Sequence, residues 1–309
     1  MKKLNFTGTG ANFIGIWALN LVLTIVTLGL YYPWAKEKMR KYLWNETSFE
    51  NSRFQFHGTG KEMFKGFIKV YLFVVILYGL IIMAQLTENP MLIVSVVLIA
   101  YLLIIVLLPF AIFGAWKYRA SRTSWRGIYA SFDGKLSAFV GLFFKELLFT
   151  ILSFGIYMSW MEVNLRKYIL NHTKIGDKRF SYVGDGGNLL GVKILGVFLS
   201  VITLYIYIPA FIRSIFNFHI NNTKLDNKSL KSSLSNGDIY GVLIVNALLL
   251  VFTLGLAFPW VIIRNLKMYM TSIQLPKDVD YDNIIQEADN YTDATGDNFL
   301  DTLDLGLDL

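Results

Sequence analysis

The chain has 309 residues, is 54% hydrophobic and 17% charged, and carries a formal net charge of +7 with a mean hydropathy of +0.48. Soluble domains are about 45–50% apolar and about 25% charged, so a soluble enzyme, a disordered protein and a disulfide scaffold are all disfavoured. Cysteine is absent, which removes disulfides, thiolate nucleophiles and cysteine metal sites, and His57, His172 and His219 are too widely spaced to form a metal motif.

In chain order, apolar stretches long enough to cross a bilayer fall at 13–34, 66–86, 91–116, 138–160, 189–209 and 241–260. The first is too long for a signal-peptide core and reads as a retained transmembrane segment. The second and third are joined by Thr87-Glu88-Asn89-Pro90 and predict a helical hairpin. Tyr31, Trp34, Trp116, Tyr157, Trp160, Tyr207 and Trp260 stand at segment ends, as in the aromatic belts of membrane interfaces. After a Gly/Pro break, Trp34 opens a short helix with Ala35, Met39, Tyr42 and Leu43 on one face and Lys36, Lys38, Arg40 and Lys41 largely on the other. That pattern predicts an amphipathic helix lying on an anionic lipid surface. The turn pairs Glu50-Asn51, Gly176-Asp177 and Asp226-Asn227 predict small β-hairpins.

Charge divides the chain. All 29 Lys and Arg lie within residues 1–277, whereas 278–309 holds ten of the 22 acids and no cation. Cations beside apolar segments mark the cytoplasmic membrane face rather than a nucleic-acid site, so no nucleic acid is expected as a partner. The acidic tail, 276–309, is expected to be disordered.

Residues 6–60 align with 132–186 at a constant offset of 126, with 19 of 55 positions identical. The register includes Gly29, Tyr31 and Trp34 against Gly155, Tyr157 and Trp160, and Arg40-Lys41-Tyr42 against Arg166-Lys167-Tyr168. Shared Gly, Arg, Asn and Thr positions are not supplied by apolar composition alone, so the pattern reads as an internal duplication. The expected architecture is an all-α polytopic membrane protein: about six transmembrane helices in two related halves, 1–126 and 127–275, with short interfacial amphipathic helices and small β-hairpin inserts. Three segments per half make the second copy inverted, which is a known transporter arrangement.

The series Phe-x-Gly-x-Gly, an apolar helix closing in Thr-Leu-Gly-x-x-x-Pro-Trp, then Arg-Lys-Tyr, Asn-x-Thr and Arg-Phe-x-x-x-Gly-x-Gly resembles the YjgN-like family over roughly residues 4–275. These are bacterial inner-membrane proteins grouped under a domain of unknown function. The resemblance implies a multi-pass protein of the bacterial inner membrane and no established activity or ligand. Later units depart from it, with Ala210 in place of the Trp and Phe216-Asn217-Phe218 in place of Arg-Lys-Tyr.

No paired carboxylates, Gly-x-Ser-x-Gly or His-Glu-x-x-His occur, so neither catalysis nor a cofactor is expected. Polar groups inside apolar segments are the strongest site candidates. Asn20, Glu146 and Asn246 occupy one depth relative to the Thr-Leu-Gly motif and are expected to meet at the bundle centre. They serve either a solute path or interhelical hydrogen bonding. Arg40, Lys41, Arg166 and Lys167 are the candidate contacts to anionic lipid. Two functions fit: a transporter or channel for a small solute, or a non-enzymatic lipid-interacting or scaffolding protein of the envelope.

Overall fold

The computed structural model describes residues 1–286. Ten helices occur there in five successive pairs: α1 (Gly10–Val26) and α2 (Tyr32–Glu46), α3 (Gly60–Leu86) and α4 (Pro90–Ser121), α5 (Leu136–Leu152) and α6 (Met158–Asn171), α7 (Gly186–Ile202) and α8 (Ile208–Asn221), α9 (Asn236–Phe252) and α10 (Phe258–Ser272). The leading helices begin at 10, 60, 136, 186 and 236, a spacing of 50 residues broken only by the longer α3/α4 pair. Each start is local chemistry in four of the five cases: Thr9, Thr59, Asp185 and Ser235 accept the backbone N–H three residues on.

The ends of the leading helices explain why they turn back. At Thr27-Leu28-Gly29, Leu28 has φ 50° and Gly29 φ 92°, and the Gly29 N–H reaches the Thr24 carbonyl at 2.7 Å. This is the left-handed closure that glycine permits. Thr27 Oγ1 then accepts the Tyr31 N–H at 3.0 Å, fixing the start of α2. The same turn recurs at 153–157, 203–207 and 253–257, capped by Ser153, Thr203 and Thr253. The helix after the break therefore packs back along its leading helix, where its charge pattern predicts a helix lying on a lipid surface. It runs antiparallel to its partner, with Tyr42 Oη bonded to Thr9 and the Phe13 and Tyr42 rings 5.4 Å apart.

The strands are β1 (Lys2–Lys3), β2 (Asn5–Phe6), β3 (Thr47–Phe49), β4 (Ser52–Phe56), β5 (Thr123–Trp125), β6 (Ile128–Phe132), β7 (Thr173–Ile175), β8 (Lys178–Tyr182), β9 (Thr223–Leu225), β10 (Lys228–Ser229), β11 (Lys231–Ser232) and β12 (Ile273–Leu275). Neighbouring hairpins pair with one another, giving the order β10-β9-β8-β7-β6-β5-β4-β3-β2, while β12 pairs both β1 and β11. Chain continuity through Leu4 and Leu230 joins these two sheets into one closed antiparallel circuit. The expected hairpin inserts are thus linked into a ring, and the fold is not all-α. Strands of two to five residues cannot show this in sequence, because their partners come from hairpins about 50–76 residues away.

Alternate strands of an antiparallel circuit run the same way. The strands that lead into α1, α3, α5, α7 and α9 are alternate ones, so all five helix pairs leave the same edge of the ring. The inverted arrangement expected of halves 1–126 and 127–275 is therefore not found. Residue 50 and residue 177 both sit in hairpin turns of one sheet. Six crossing helices are not found either: among the described residues only α3 and α4, of 27 and 32 residues, are long and apolar enough to span a bilayer. The 17-residue α1, α5, α7 and α9 measure about 25 Å at 1.5 Å per residue, short of a hydrocarbon core of about 30 Å. Their tips are apolar and bare, with Leu28, Phe154, Leu204 and Leu254 between 80% and 97% exposed.

The main core sits inside the strand ring. Phe49, Trp125, Leu225 and Leu230 meet there, with Leu4, Ile128, Ile175 and Ile273 packed around them, so every hairpin contributes. Val279, Tyr281 and Ile284 fill the same cluster. The part of the tail from 276 to 286 is thus placed against the ring rather than disordered, because Val279, Tyr281 and Ile284 are buried in this core. Arg126 Nη1 holds Asp282 at 2.7 Å and Asp177 Oδ1 accepts the Ile285 N–H at 3.1 Å. The disorder expected of the remainder, 287–309, lies outside the described residues.

Candidate functional site

Asn20, Glu146 and Asn246 are buried, at 3%, 1% and 3% exposure. They are not brought together. Each faces the return helix of its own pair: Asn20 Nδ2 donates to the Ala35 carbonyl at 3.2 Å, Asn164 Nδ2 donates to Glu146 Oε2 at 2.8 Å, and Asn246 Nδ2 donates to Asn265 Oδ1 at 2.8 Å. Glycine 196 takes the corresponding place in the fourth pair, and a Cβ there would lie 2.0 Å from the Phe211 ring. The position is a close crossing between leading and return helices, which a small residue or a hydrogen-bonded polar one can fill. Lys145, next to Glu146, is exposed.

The four candidate lipid contacts are dispersed. Arg40 is buried at 3%, its guanidinium 5.6 Å from the Phe56 ring centroid. Lys41 is tied to Glu37 at 2.6 Å. Arg166 is partly buried, and only Lys167 is exposed. They do not form one cationic face, because helix packing on both sides of α2 and α6 takes the arginines inward.

Two polar clusters were not legible in sequence. In the first, Tyr182 Oη is 2.8 Å from His219 Nδ1, His219 Nε2 is 2.7 Å from Glu162 Oε1, and Lys193 Nζ donates to Glu162 Oε2 at 2.6 Å. This chain of four side chains ties β8, α6, α7 and α8 together. In the second, Glu62 accepts from Arg122 Nε and Nη2, both at 3.2 Å, and from Tyr118 Oη at 3.1 Å. Lys193 is therefore an ion-pair partner of Glu162. The available signal was that Glu62 and Glu162 are two of only twelve acids in the basic body. The first cluster joins adjacent helix pairs, whereas the second ties the start of α3 to the end of α4 within one pair. No group of three or more metal-ligating side chains occurs among the described residues.

A family model described as "Bacterial protein of unknown function (DUF898)" matches residues 1–215 and 194–302. Inner membrane protein YjgN of Escherichia coli (strain K12) is 33% identical over 147 residues, covering 47% of this chain and 35% of that protein. Its counterpart in Salmonella typhimurium (strain LT2) is 29% identical over 130 residues, covering 42% and 31%. The matched stretch thus spans about a third of the length of these curated relatives. No solved structure matches.

Proposed function

The chain belongs to the DUF898 family, and from that premise we propose that it is a non-enzymatic protein of the bacterial inner membrane that binds anionic lipid and braces the bilayer from its cytoplasmic face. One observation carries the reading. All five helix pairs leave the strand ring at one edge, and none of their tips (27–31, 87–89, 153–157, 203–207 and 253–257) contains a Lys or Arg. Bare apolar tips favour insertion, and the confinement of cations to the rest of the body puts the ring in the cytoplasm by the positive-inside tendency. On this reading α3 and α4 cross the membrane and the other four pairs enter it from the ring side.

A solute path is less well supported. The cluster around Tyr281 occupies the inside of the ring, and the inverted halves that motivated transport are absent. The test exploits the lack of native cysteine. Single cysteines at positions 50, 126, 177 and 227 should all react from the cytoplasmic side, those replacing Leu28, Phe154 and Leu254 should be shielded by lipid, and one at Glu88 should react from the opposite side. Labelling of 50 and 177 from opposite faces would overturn the insertion mode.

A further inference from the structure

The helix pairs meet at junctions where a return helix packs on the N-terminus of the next leading helix. At the α2–α3 junction the Glu37 carboxylate lies between two donors: Oε2 accepts the Gly60 N–H at 2.6 Å and Oε1 accepts Lys41 Nζ at 2.6 Å. Trp34 packs on Gly60, so close that a Cβ there would meet its ring at 2.5 Å. The protein thus supplies its own anion to a helix N-terminus, where backbone N–H groups and the dipole favour negative charge.

The α10–α1 junction has the same construction with the carboxylate replaced. Counting from the strand that ends each pair, Trp260 stands in the place of Trp34, Gly10 in that of Gly60 and Lys267 in that of Lys41, whereas Ile263 stands in that of Glu37. Trp260 packs on Gly10 as Trp34 does on Gly60. Gly10, Ile263 and Lys267 line an open cleft of about 840 Å³, together with Arg264, Lys3 and Asp238. Among the described residues neither Lys267 nor Arg264 has an acidic partner, and the Arg264 Nε is buried without a hydrogen bond. Asp238 is committed to Ser235, accepting from its backbone N–H at 3.0 Å and its hydroxyl at 2.6 Å. Three cations therefore face one engaged carboxylate.

Other junctions differ. The α7 N-terminus carries Asp185 as its cap and the α9 N-terminus carries Asp238. At α5 Phe113 stands in the place of Glu37 and packs on Phe132 and Phe139. At the α1 junction a helix N-terminus without a first-turn acid opens on a cation-lined cleft.

We propose that this cleft binds a phosphoryl anion, held by the Gly10 N-terminal amides, Lys267 and Arg264 as the Glu37 carboxylate is held at the neighbouring junction, and that its source is the phosphodiester of an anionic phospholipid. The lipid source follows from the walls. Leu234, Val242, Ile263 and Met268 line the cleft beside the cations, and α9 and α10 lead from it toward the bare apolar tips. The assignment deepens the lipid-binding reading and rests on it.

The experiment uses the full chain, delipidated in detergent, with the thermal midpoint followed as phosphatidylglycerol, phosphatidylcholine or inorganic phosphate is added. Phosphatidylglycerol should raise the midpoint saturably and phosphatidylcholine should not. Lys267→Gln and Arg264→Gln should each shift half-saturation about tenfold upward, the loss of one charge-assisted hydrogen bond. Ile263→Glu should reproduce the internal carboxylate and abolish the response. Should that buried substitution fail to fold, the Lys267 and Arg264 variants decide. Lys41→Gln, at the self-satisfied junction, should leave half-saturation unchanged. Equal weakening by Lys41→Gln and Lys267→Gln would overturn the site while leaving lipid binding intact. No preference for phosphatidylglycerol in the unaltered protein would instead sink the lipid reading itself. An equal response to inorganic phosphate would overturn the lipid source.

Discussion

Glu146 shows how a buried acid is kept in an apolar helix pair. Its Oε2 is matched by the Asn164 amide at 2.8 Å across the crossing of α5 and α6. Replacing it by leucine strands that amide, and a buried donor without a partner costs about 1–3 kcal/mol. Glu146→Leu should therefore lower the thermal midpoint in detergent, Glu146→Gln should lower it less, and Glu146→Leu with Asn164→Leu should recover part of the loss. If the double variant is as weak as the sum of the two singles, the pair is not what holds the crossing. The common depth of Asn20, Glu146 and Asn246 was legible, because a fixed distance from a repeated turn motif fixes height along the helix. Their partners were not. A 3.6-residue period says which way a side chain points, but the neighbour in that direction depends on the chain reversal ten residues later.

That reversal is an element-scale device with its own strain pattern. Three of the four short tips place glycine at the second left-handed position, with Gly29 at φ 92°, Gly155 at 90° and Gly255 at 87°. The fourth puts Tyr205 there at φ 68°. A side chain in this region costs roughly 1–2 kcal/mol that glycine avoids. Tyr205→Gly should accordingly stabilise the α7–α8 turn and raise the thermal midpoint, and Gly155→Ala should lower it. A midpoint lowered by Tyr205→Gly would show that the tyrosine ring contributes more than its backbone costs. The Thr-Leu-Gly motif was visible as a helix break, yet a break that turns the chain along a membrane surface and a tight reversal of one helix onto the next use the same residues. What separates them is the hydroxyl of Thr27 capping the return helix, a contact between residues four apart that sequence alone does not reveal.

Across the whole molecule, stability should concentrate where the tail enters the ring. Tyr281 is 5% exposed and packs edge-on against Phe49 and Trp125, with centroids 4.8 and 6.4 Å away. Tyr281→Ala should cost about 3–5 kcal/mol, the range for removing a large buried ring. Truncation after Lys277 should destabilise the protein at least as much, whereas truncation after Gln286 should spare this cluster. The strap also makes stability sensitive to acid. Burial works to raise the Asp177 carboxyl, but the Lys178 ammonium and the Ile285 N–H outweigh it and hold the group below its ordinary value. Asp280 is likewise held low, chiefly by the Asn283 side chain. A depressed folded-state value contributes stability that is present above the ordinary carboxylate range and is lost as pH falls through the folded one. Amide exchange over 276–286 should therefore quicken below about pH 4, after correction for intrinsic rates. Asp177→Asn should show the quickened exchange already at neutral pH. The membrane character of the body and its family membership were legible in sequence, but the ring was not, because alternate-strand direction emerges only once hairpins pair with hairpins.

The pairing of β12 with β1 has a consequence for biosynthesis. The strand at Lys2–Lys3, first in chain order among those described, finds its partner only when residues 273–275 have been made. As synthesis proceeds, each helix pair adds a hairpin to a growing arc. Throughout that time the arc has two unsatisfied strand edges, which are templates for mispairing with another chain. Cutting the ring elsewhere and joining the old ends should move those edges without changing the finished circuit. A permutant opened at the 87–89 tip would hold its first and last synthesised helices, α4 and α3, in one pair. Its yield compared with the natural order would measure how much the cell relies on making α3 and α4 together.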